Sequence, residues 1–519
     1  MKKSIALLLS VIWLVSLVGC GGTDESQPSV SDAVITEPLD DTPETYEGIS
    51  VVLSDAGITV DGAAISRDET AAVYAANDIV YYESGKDFTY GEGEEKDAHT
   101  KEEADAHTVV HITKAGQYVL SGKLSKGQIA VDLGEDAEQN PDAVVTLVLN
   151  DVDITCSVAP AVIFYNVYEC GSKDETTATK DVDTTAAGAR VILANNSHNQ
   201  VDGAYVARIY KPGTVELNED GTEVKDAKKL HKYDGAFYSK MSMTVQGGKN
   251  GNGNGVLAIH AANEGLDTEL HLTINGGVIQ IESGNDGINT NEDNISVTTI
   301  NGGSLSIVVN GATGEGDGID SNGWLVINGG TVVAQACSFS GDAGIDSDKG
   351  IHINGGTVVA GGHMLDRIED GGQTFAVFTM SQSRKDSRIR LVDKNNKTVI
   401  SQSIANDYSI LVMSSPYMTP GEYTLWDGET QLQGSSGRGG GMRPGGMTPL
   451  DGEGGQPPEG MEPPMGEDGR RPTRPEGMEP PQGDGGQRPE RPNGNNAPVS
   501  GDVSSVFTLV EGANYFQIS

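Results

Sequence analysis

The stretch GEGDGIDSNGWLVINGGTVVA, residues 314–334, combines two aspartates, several glycines and one tryptophan with alternating apolar residues. Its INGG core recurs along the chain, beginning at Ile274, Ile300, Ile327 and Ile353, and a related VQGG begins at Val245. The successive spacings are 29, 26, 27 and 26 residues. A unit this short has too few apolar residues to form its own core, so the repeats are expected to stack on one another.

The alternation of apolar residues predicts which side chains face the interior. Leu325 and Ile327 precede the glycine pair, and Val332 and Ala334 follow it. Successive side chains of a strand point to opposite faces, so these four residues should face one core. No segment keeps the 3.6-residue period of a helical repeat, and propeller repeats are longer, at about 40 residues or more.

These observations predict an all-β fold, namely a right-handed parallel β-helix (a solenoid) with a C-terminal β cap. The right-handed form is favoured because a left-handed one would show strict six-residue repeats. The predicted organisation in chain order is a lipoprotein signal peptide (1–20), a flexible spacer (21–48), the parallel β-helix (49–363), the C-terminal β cap (364–433), a Gly/Pro/Met-rich disordered insertion (434–500) and the closing strand of the cap (501–519).

The first residues, MKKSIALLLSVIWLVSLVGC, have the charged start, apolar run and small-residue end of an export signal. The ending resembles a bacterial lipobox, which predicts lipidation of Cys20 and an extracytoplasmic protein anchored to the bacterial cell membrane. The remaining cysteines are Cys156, Cys170 and Cys337. A disulfide between Cys156 and Cys170 and three unpaired thiols both fit this pattern.

The charge of the chain restricts its partners. A formal net charge of -40 excludes nucleic acid as a partner, because phosphates would be repelled and no basic stripe is present. The same charge favours divalent cations. The composition, with 69 glycines and 5 % aromatic residues, is typical of many short strands separated by turns rather than of a globular enzyme core.

Polar residues fall into columns when the repeats are aligned. One column contains Asp267, Asn289, Asp320 and Asp346, and the second, three residues earlier, contains Glu264, Asp286, Asp317 and Ala343, with Asp342 beside the break. Stacked strands lie about 4.8 Å apart, and calcium takes 6 to 8 oxygen ligands. The columns therefore predict calcium between repeats, with the candidate ligands Asp267, Asp286, Asn289, Asp317, Asp320, Asp342, Asp346 and Asp348. In the preceding repeat, Gly235 and Tyr238 occupy the two acidic positions, which argues against calcium there.

Several segments together resemble a family of secreted bacterial carbohydrate-binding β-helix proteins: HITKAGQYVLSGKL (111–124), VTLVLNDVDI (145–154), VILANNSHNQVDG (191–203), DGINTNEDNISVTTINGG (286–303), DGIDSNGWLVINGGTVVA (317–334) and GIDSDKGIHINGGTVVAGG (344–362). The resemblance covers roughly residues 49–433 and 503–519. It implies a right-handed β-helix related in shape to pectate lyases, calcium between coils, and binding of cellulose or acidic polysaccharide without established catalysis.

Parity places Trp324 on the outward face beside INGG, in one column with His271, while His352 belongs to the next outward column. An exposed indole suits stacking on a sugar ring, so these three residues are the predicted carbohydrate face; packing of Trp324 under the cap or the 434–500 insertion is the alternative.

The predicted function is polysaccharide binding, with cell-wall components as further candidate partners. A calcium-dependent polysaccharide lyase, with Lys349 as its base, and a structural adhesin without sugar specificity are the alternatives, and the balance favours a protein that is not an enzyme.

Overall fold

The computed structural model describes residues 39–437 and 503–519. Nearly all of its regular structure is β strand. The exceptions are one short α-helix, Lys101–Asp105, and the 3-10 turns Glu95–Asp97 and Glu135–Gln139. The predicted all-β class is therefore confirmed. The predicted signal peptide with Cys20, most of the spacer and nearly all of the 434–500 insertion lie outside the described residues.

The eight-stranded sheet carries the acidic positions of the repeats. Its strands are Val73–Ala76, Thr108–Ile112, Gly127–Asp132, Val162–Asn166, Gly235–Ser239, Glu264–Thr268, Ile288–Thr290 and Ile319–Ser321. All neighbouring pairs are parallel except the pair between the first two strands. Each later repeat thus adds one strand to this sheet.

A second, 21-stranded sheet contains two rows of strands. The strands that end at the INGG positions form the INGG row: Ala189–Leu193, Met243–Gly247, Leu272–Ile274, Val297–Ile300, Trp324–Ile327 and Gly350–Ile353. Those that follow the glycines form the second row: His198–Gly203, Val256–Ala261, Val278–Ser283, Ser304–Val309, Thr331–Gln335 and Thr357–Gly362. Two long strands, Gly116–Leu124 and Val145–Cys156, contribute to both rows. Pairing between consecutive repeats is parallel throughout both rows.

The remaining strands of this sheet lie before and after the repeats. They are Ile49–Leu53, Thr59–Val60 and Ala63–Ala64, and then Phe375–Arg384, Tyr408–Ser414, Gly434–Ser436 and Ala513–Ile518. The last strand of the second row, Thr357–Gly362, pairs antiparallel with Tyr408–Ser414. The parallel series ends at that strand, and its edge is covered by the antiparallel partner.

A five-stranded sheet and two hairpins complete the described structure. The sheet contains Ser387–Asp393, Thr398–Ile404, Gly421–Asp427, Thr430–Gln431 and Phe507–Leu509. It shares a second apolar core with the last strands of the 21-stranded sheet, where Phe507 contacts the rings of Phe378 and Phe516. The hairpins pair Val206–Tyr210 with Lys229–Tyr233 and Glu216–Leu217 with Val224–Asp226.

The alternation predicted from the sequence matches the observed core. Leu325, Ile327, Val332 and Ala334 are each 0 % exposed and belong to one cluster. The equivalent residues of the other repeats, such as Leu272, are buried with them. Burying a Leu or Ile side chain contributes about 1.5–3 kcal/mol, and since each repeat supplies only a few, stacking is what closes the core.

Asparagine side chains form a ladder at the INGG turns. The Nδ2 atom of each asparagine donates to the Oδ1 atom of its counterpart one repeat earlier, at 2.8 Å from Asn301 to Asn275, 2.9 Å from Asn328 to Asn301 and 2.8 Å from Asn354 to Asn328. An amide carries both donors and an acceptor. A stacked column of asparagines therefore satisfies itself.

A long connection, residues 167–188, lies over the outer face of the INGG row. The Thr184 hydroxyl donates to Thr273 Oγ1 at 2.6 Å, and Gly171 lies against the ring of His271. Thr273 is 6 % exposed beneath this connection, and the outward residues Thr299 and Val326 of the same row are also buried, at 8 % and 5 % exposed.

Candidate functional site

The register of the eight-stranded sheet aligns the predicted acidic column. Asp267 is the Cα partner of Asn289, which is in turn the partner of Asp320. In the preceding strand Tyr238 is the partner of Asp267, and Gly235 is the partner of Glu264. The side chains singled out in separate repeats are therefore neighbours across one sheet.

A first acid cluster consists of Asp234, Glu264 and Asp267. Ligand atoms from these three carboxylates all lie within 4.8 Å of one another. Glu264 is 5 % and Asp267 0 % exposed. Glu264 Oε2 and Asp267 Oδ2 are buried without a hydrogen-bond partner among the described residues, as is Oδ1 of the neighbouring Asn289. Three oxygen atoms of neighbouring side chains thus lack a donor in a region from which water is largely excluded.

The other oxygens of this cluster are held by side chains around it. Asn289 Nδ2 donates to Glu264 Oε1 at 3.2 Å, and Asn291 Nδ2 donates to Asp267 Oδ1 at 2.6 Å. Lys232 Nζ lies 2.5 Å from Asp234 Oδ2. Burial, followed by the neighbouring carboxylates, raises the pKa of both Glu264 and Asp267 well above the usual range. Without a cation, the ionised cluster is unfavourable.

A second acid cluster consists of Asp317, Asp320 and Asp346, again with ligand atoms within 4.8 Å of one another. All three side chains are partly exposed. Burial and nearby carboxylates raise the pKa of Asp317 to about 9 and the pKa values of Asp320 and Asp346 to about 7. The second cluster is therefore the more accessible of the two.

The remaining predicted calcium ligands are Asp286, Asp342 and Asp348. Asp286 Oδ1 accepts from the backbone N–H of Asp317 at 2.7 Å, and Asp342 Oδ2 accepts from that of Gly316 at 2.5 Å. Each therefore keeps one carboxylate oxygen for another partner. Asp348 is exposed.

The donor set fits calcium better than a transition metal. Calcium prefers carboxylate and carbonyl oxygens, whereas zinc and copper sites usually include imidazole or thiolate. The first cluster offers carboxylates and one amide oxygen, and three of these atoms have no other partner. The described cysteines, Cys156, Cys170 and Cys337, are all free thiols, so no disulfide joins Cys156 to Cys170.

Sequence reasoning missed Asp234 as a member of the first cluster. The repeat at Gly235 lacks acids in both aligned columns, and calcium appeared unfavourable there. Asp234 nevertheless places its carboxylate beside Glu264 and Asp267, from the position directly before Gly235. The usable signal was the Asp-Gly pair, which also opens the repeats at Asp286 and Asp317 but is displaced here by one residue.

The predicted carbohydrate face is largely covered. His271 shares the column of Trp324, as expected from the pairing of the next residues along these strands. It is only 3 % exposed because residues 167–188 cover it, so the expectation that His271 lies on an open face is wrong. Burial lowers its pKa to about 4. Trp324 and His352 remain partly exposed.

Comparisons with known proteins place the chain in a family. No curated protein matches it. Among solved structures, one titled "Structure of the polysaccharide lyase-like protein from C. thermocellum, Gadolinium derivative" is similar at 18 % identity over 62 % of this chain and 90 % of that chain, with a TM-score of 0.29. Residues 106–374, slightly more than half of the 519 residues, match the family described as carbohydrate-binding domain-containing protein. The chain belongs to this carbohydrate-binding family.

Proposed function

We propose that this protein binds polysaccharide outside the cytoplasm, as a lipoprotein anchored through Cys20, and that calcium between its repeats stabilises the binding domain. The observation that carries the carbohydrate function is the family match over residues 106–374. The in-register parallel pairing of successive repeats supports the finer proposal that the domain is a right-handed parallel β-helix. Cellulose and acidic, pectin-like polymers are the two candidate ligands.

Calcium enters the proposal through the two acid clusters. Asp234, Glu264 and Asp267, with the Asn289 oxygen, would hold one ion, and Asp317, Asp320 and Asp346 would hold another. Bound calcium would supply positive charge that neutralises carboxylates on adjacent repeats. The unpartnered oxygens of Glu264, Asp267 and Asn289 support this role, because a buried acceptor without a donor costs about 1–3 kcal/mol.

Trp324 is the proposed stacking residue for a neutral sugar ring. Among the described residues its indole makes no ring contact, and its side chain is partly exposed on the strand Trp324–Ile327. A sugar ring presents an apolar C–H face that an indole can cover. His352, one strand further and also partly exposed, is the proposed neighbour of that position.

Retention on insoluble polymers tests this function. The soluble form lacking residues 1–20 should sediment with cellulose or with insoluble pectin in the presence of calcium, and EDTA should reduce that retention. Trp324→Ala should lower retention on cellulose, while Phe339→Ala, which removes an aromatic ring that is 78 % exposed elsewhere, serves as the matched control. Absence of retention on every polymer tested, with calcium present, would overturn the proposed function.

A further inference from the structure

The first acid cluster has a buried side and a side that solvent can reach. Glu264 and Asp267 are 5 % and 0 % exposed, and Asn289, which also has an unpartnered oxygen, is 7 % exposed. Asp234 is the one carboxylate of the three that is not fully buried, with 13 % of its side chain exposed. A cation that enters this cluster from solvent therefore meets Asp234 before it meets the two buried acids.

A lysine side chain lies on that accessible side. Lys232 Nζ is 2.5 Å from Asp234 Oδ2, and 42 % of the lysine side chain is exposed. Burial acts to lower the pKa of Lys232, but the charge of Asp234, followed by the charges of the two buried acids, outweighs burial and raises it. One ammonium group is thus within electrostatic range of all three carboxylates, while its ion pair in the described part of the chain is with Asp234.

This lysine belongs to a hairpin outside the repeat pattern. Lys232 and Asp234 are two residues apart, at the junction between the strand Lys229–Tyr233 and the strand Gly235–Ser239 of the eight-stranded sheet. In the described structure the first of these strands pairs with Val206–Tyr210, with two register shifts, and with no strand of the repeats. A lysine has a flexible four-carbon stem. Its ammonium group can therefore leave the cluster without any movement of the repeats.

The second acid cluster lacks a counter-ion of this kind. Asp317, Asp320 and Asp346 form no ion pair with a lysine or arginine among the described residues. Burial raises the pKa values of all three, and the charged groups that contribute most to the rise are again carboxylates, among them Asp286 and Asp366. The two clusters therefore offer similar ligand atoms but differ in the positive charge that accompanies them.

We propose that Lys232 is the counter-ion of the first cluster in the calcium-free protein and leaves Asp234 when calcium binds. The inference rests on the calcium sites of the proposed function, and it assigns a lower affinity to the first cluster than to the second. A permanent ion pair would leave the oxygens of Glu264 and Asp267 buried without a donor. A divalent ion takes 6 to 8 oxygen ligands and can contact them together with Asp234. Because an ammonium group has to be released first, the first cluster should be the weaker site.

Calorimetric titration with calcium, on the protein lacking residues 1–20, tests the difference in affinity. The parent should show two classes of site. Lys232→Gln should tighten the weaker class about tenfold, because the ion pair no longer competes and the ammonium no longer repels the ion. Lys232→Arg keeps the positive charge and should not tighten it. Lys229→Gln is the matched control, because Lys229 lies on the same strand, is 43 % exposed and pairs with Glu269 outside the cluster.

Chemical labelling of lysines reports the displacement itself and needs no substitution. With a limiting amine-reactive reagent and detection by mass spectrometry, Lys232 should react several times faster in calcium than in EDTA, because the ion pair favours its protonated, unreactive form. Lys229 should react equally in both conditions, since its ion pair with Glu269 does not involve the cluster.

The two measurements separate this inference from the calcium sites on which it rests. Calcium binding that leaves the labelling of Lys232 unchanged would overturn the displacement while leaving those sites standing. Parent-like or weaker calcium affinity in Lys232→Gln, or equal tightening in Lys229→Gln, would overturn it in the same way. Absence of calcium binding by the parent protein would overturn the calcium sites of the proposed function as well.

Discussion

Two polar columns run through the same stack of repeats and are satisfied in opposite ways. The asparagines at 275, 301, 328 and 354 pass hydrogen bonds from one repeat to the next. The column of Asp267, Asn289 and Asp320 has the same register but leaves oxygen atoms of Asp267 and Asn289 buried without a donor. An amide is both donor and acceptor, whereas an ionised carboxylate only accepts. A column of amides thus satisfies its own hydrogen bonds, whereas a column that contains buried carboxylates needs protons or a cation to neutralise it.

Removing calcium should have the largest effect on the stability of the acidic column. A ligand that binds only the folded state at about a thousandfold above its Kd stabilises it by about 4 kcal/mol. We therefore expect EDTA to lower the melting temperature by several degrees, measured by circular dichroism with and without added calcium. Magnesium at the same concentration is the control, since it prefers a smaller octahedral shell. Identical melting curves in calcium and EDTA would contradict a structural role for the ion.

The pH dependence of the calcium-free protein should reveal the buried acids. Burial raises the pKa of Asp317 to about 9 and those of Glu264 and Asp267 well above the usual range. The folded state then holds more protons than the unfolded one, so stability falls as pH rises from 7 to 9. Below pH 7, the buried His271 has the opposite effect: burial lowers its pKa to about 4, so the unfolded state holds more protons there and stability rises with pH.

Urea midpoints measured at pH 7, 8 and 9 would check this sign. In EDTA we expect the midpoint to decrease with pH, because the free energy of unfolding falls by up to about 1.4 kcal/mol per pH unit for each group that titrates. Calcium should flatten the profile, because it replaces the protons as the neutralising charge. A midpoint that rises between pH 7 and 9 in EDTA would count against buried, proton-holding acids.

Asp267→Asn converts part of the acidic column into an amide column. In EDTA this variant should melt at a higher temperature than the parent, because a buried carboxylate is replaced by a neutral group of the same shape. With calcium the order should reverse, since one charged ligand is lost. Asp153→Asn is the control, as Asp153 is a surface acid paired only with Lys123. A lower melting temperature for Asp267→Asn under both conditions would contradict the cation model.

The reverse substitution in the ladder, Asn301→Asp, should have the smallest effect. It removes the donor to Asn275 and places a negative charge beside the acceptor oxygen. The ladder is exposed, so we expect a loss of about 1 kcal/mol in the free energy of unfolding. Gln280→Glu introduces the same charge at an exposed strand position whose side chain has no described partner. An equal loss in Gln280→Glu would indicate a general effect of negative charge rather than rupture of the ladder.

Structural features that recur in every repeat could be predicted from the sequence, whereas features produced by irregular segments could not. Strand geometry alone predicts that Leu325 and Ile327 are buried on the same face. It also predicts that Asp267 lies beside Asn289. The burial of His271 does not follow from strand geometry, because the covering connection lies about 90 residues earlier and carries no repeat signal. Asp234 escaped notice because its Asp-Gly pair lies one residue before the aligned acidic column.

The regular register also makes repeat number a variable of the molecule. A parallel strand added to the eight-stranded sheet occupies about 4.8 Å, so a duplicated repeat would lengthen the stack by about that distance. Duplicating residues 301–327, for example, would add one strand to each row and one further Asp-Gly-Ile-Asp turn. If calcium binds between repeats as proposed, the number of ions held would then increase with the number of repeats.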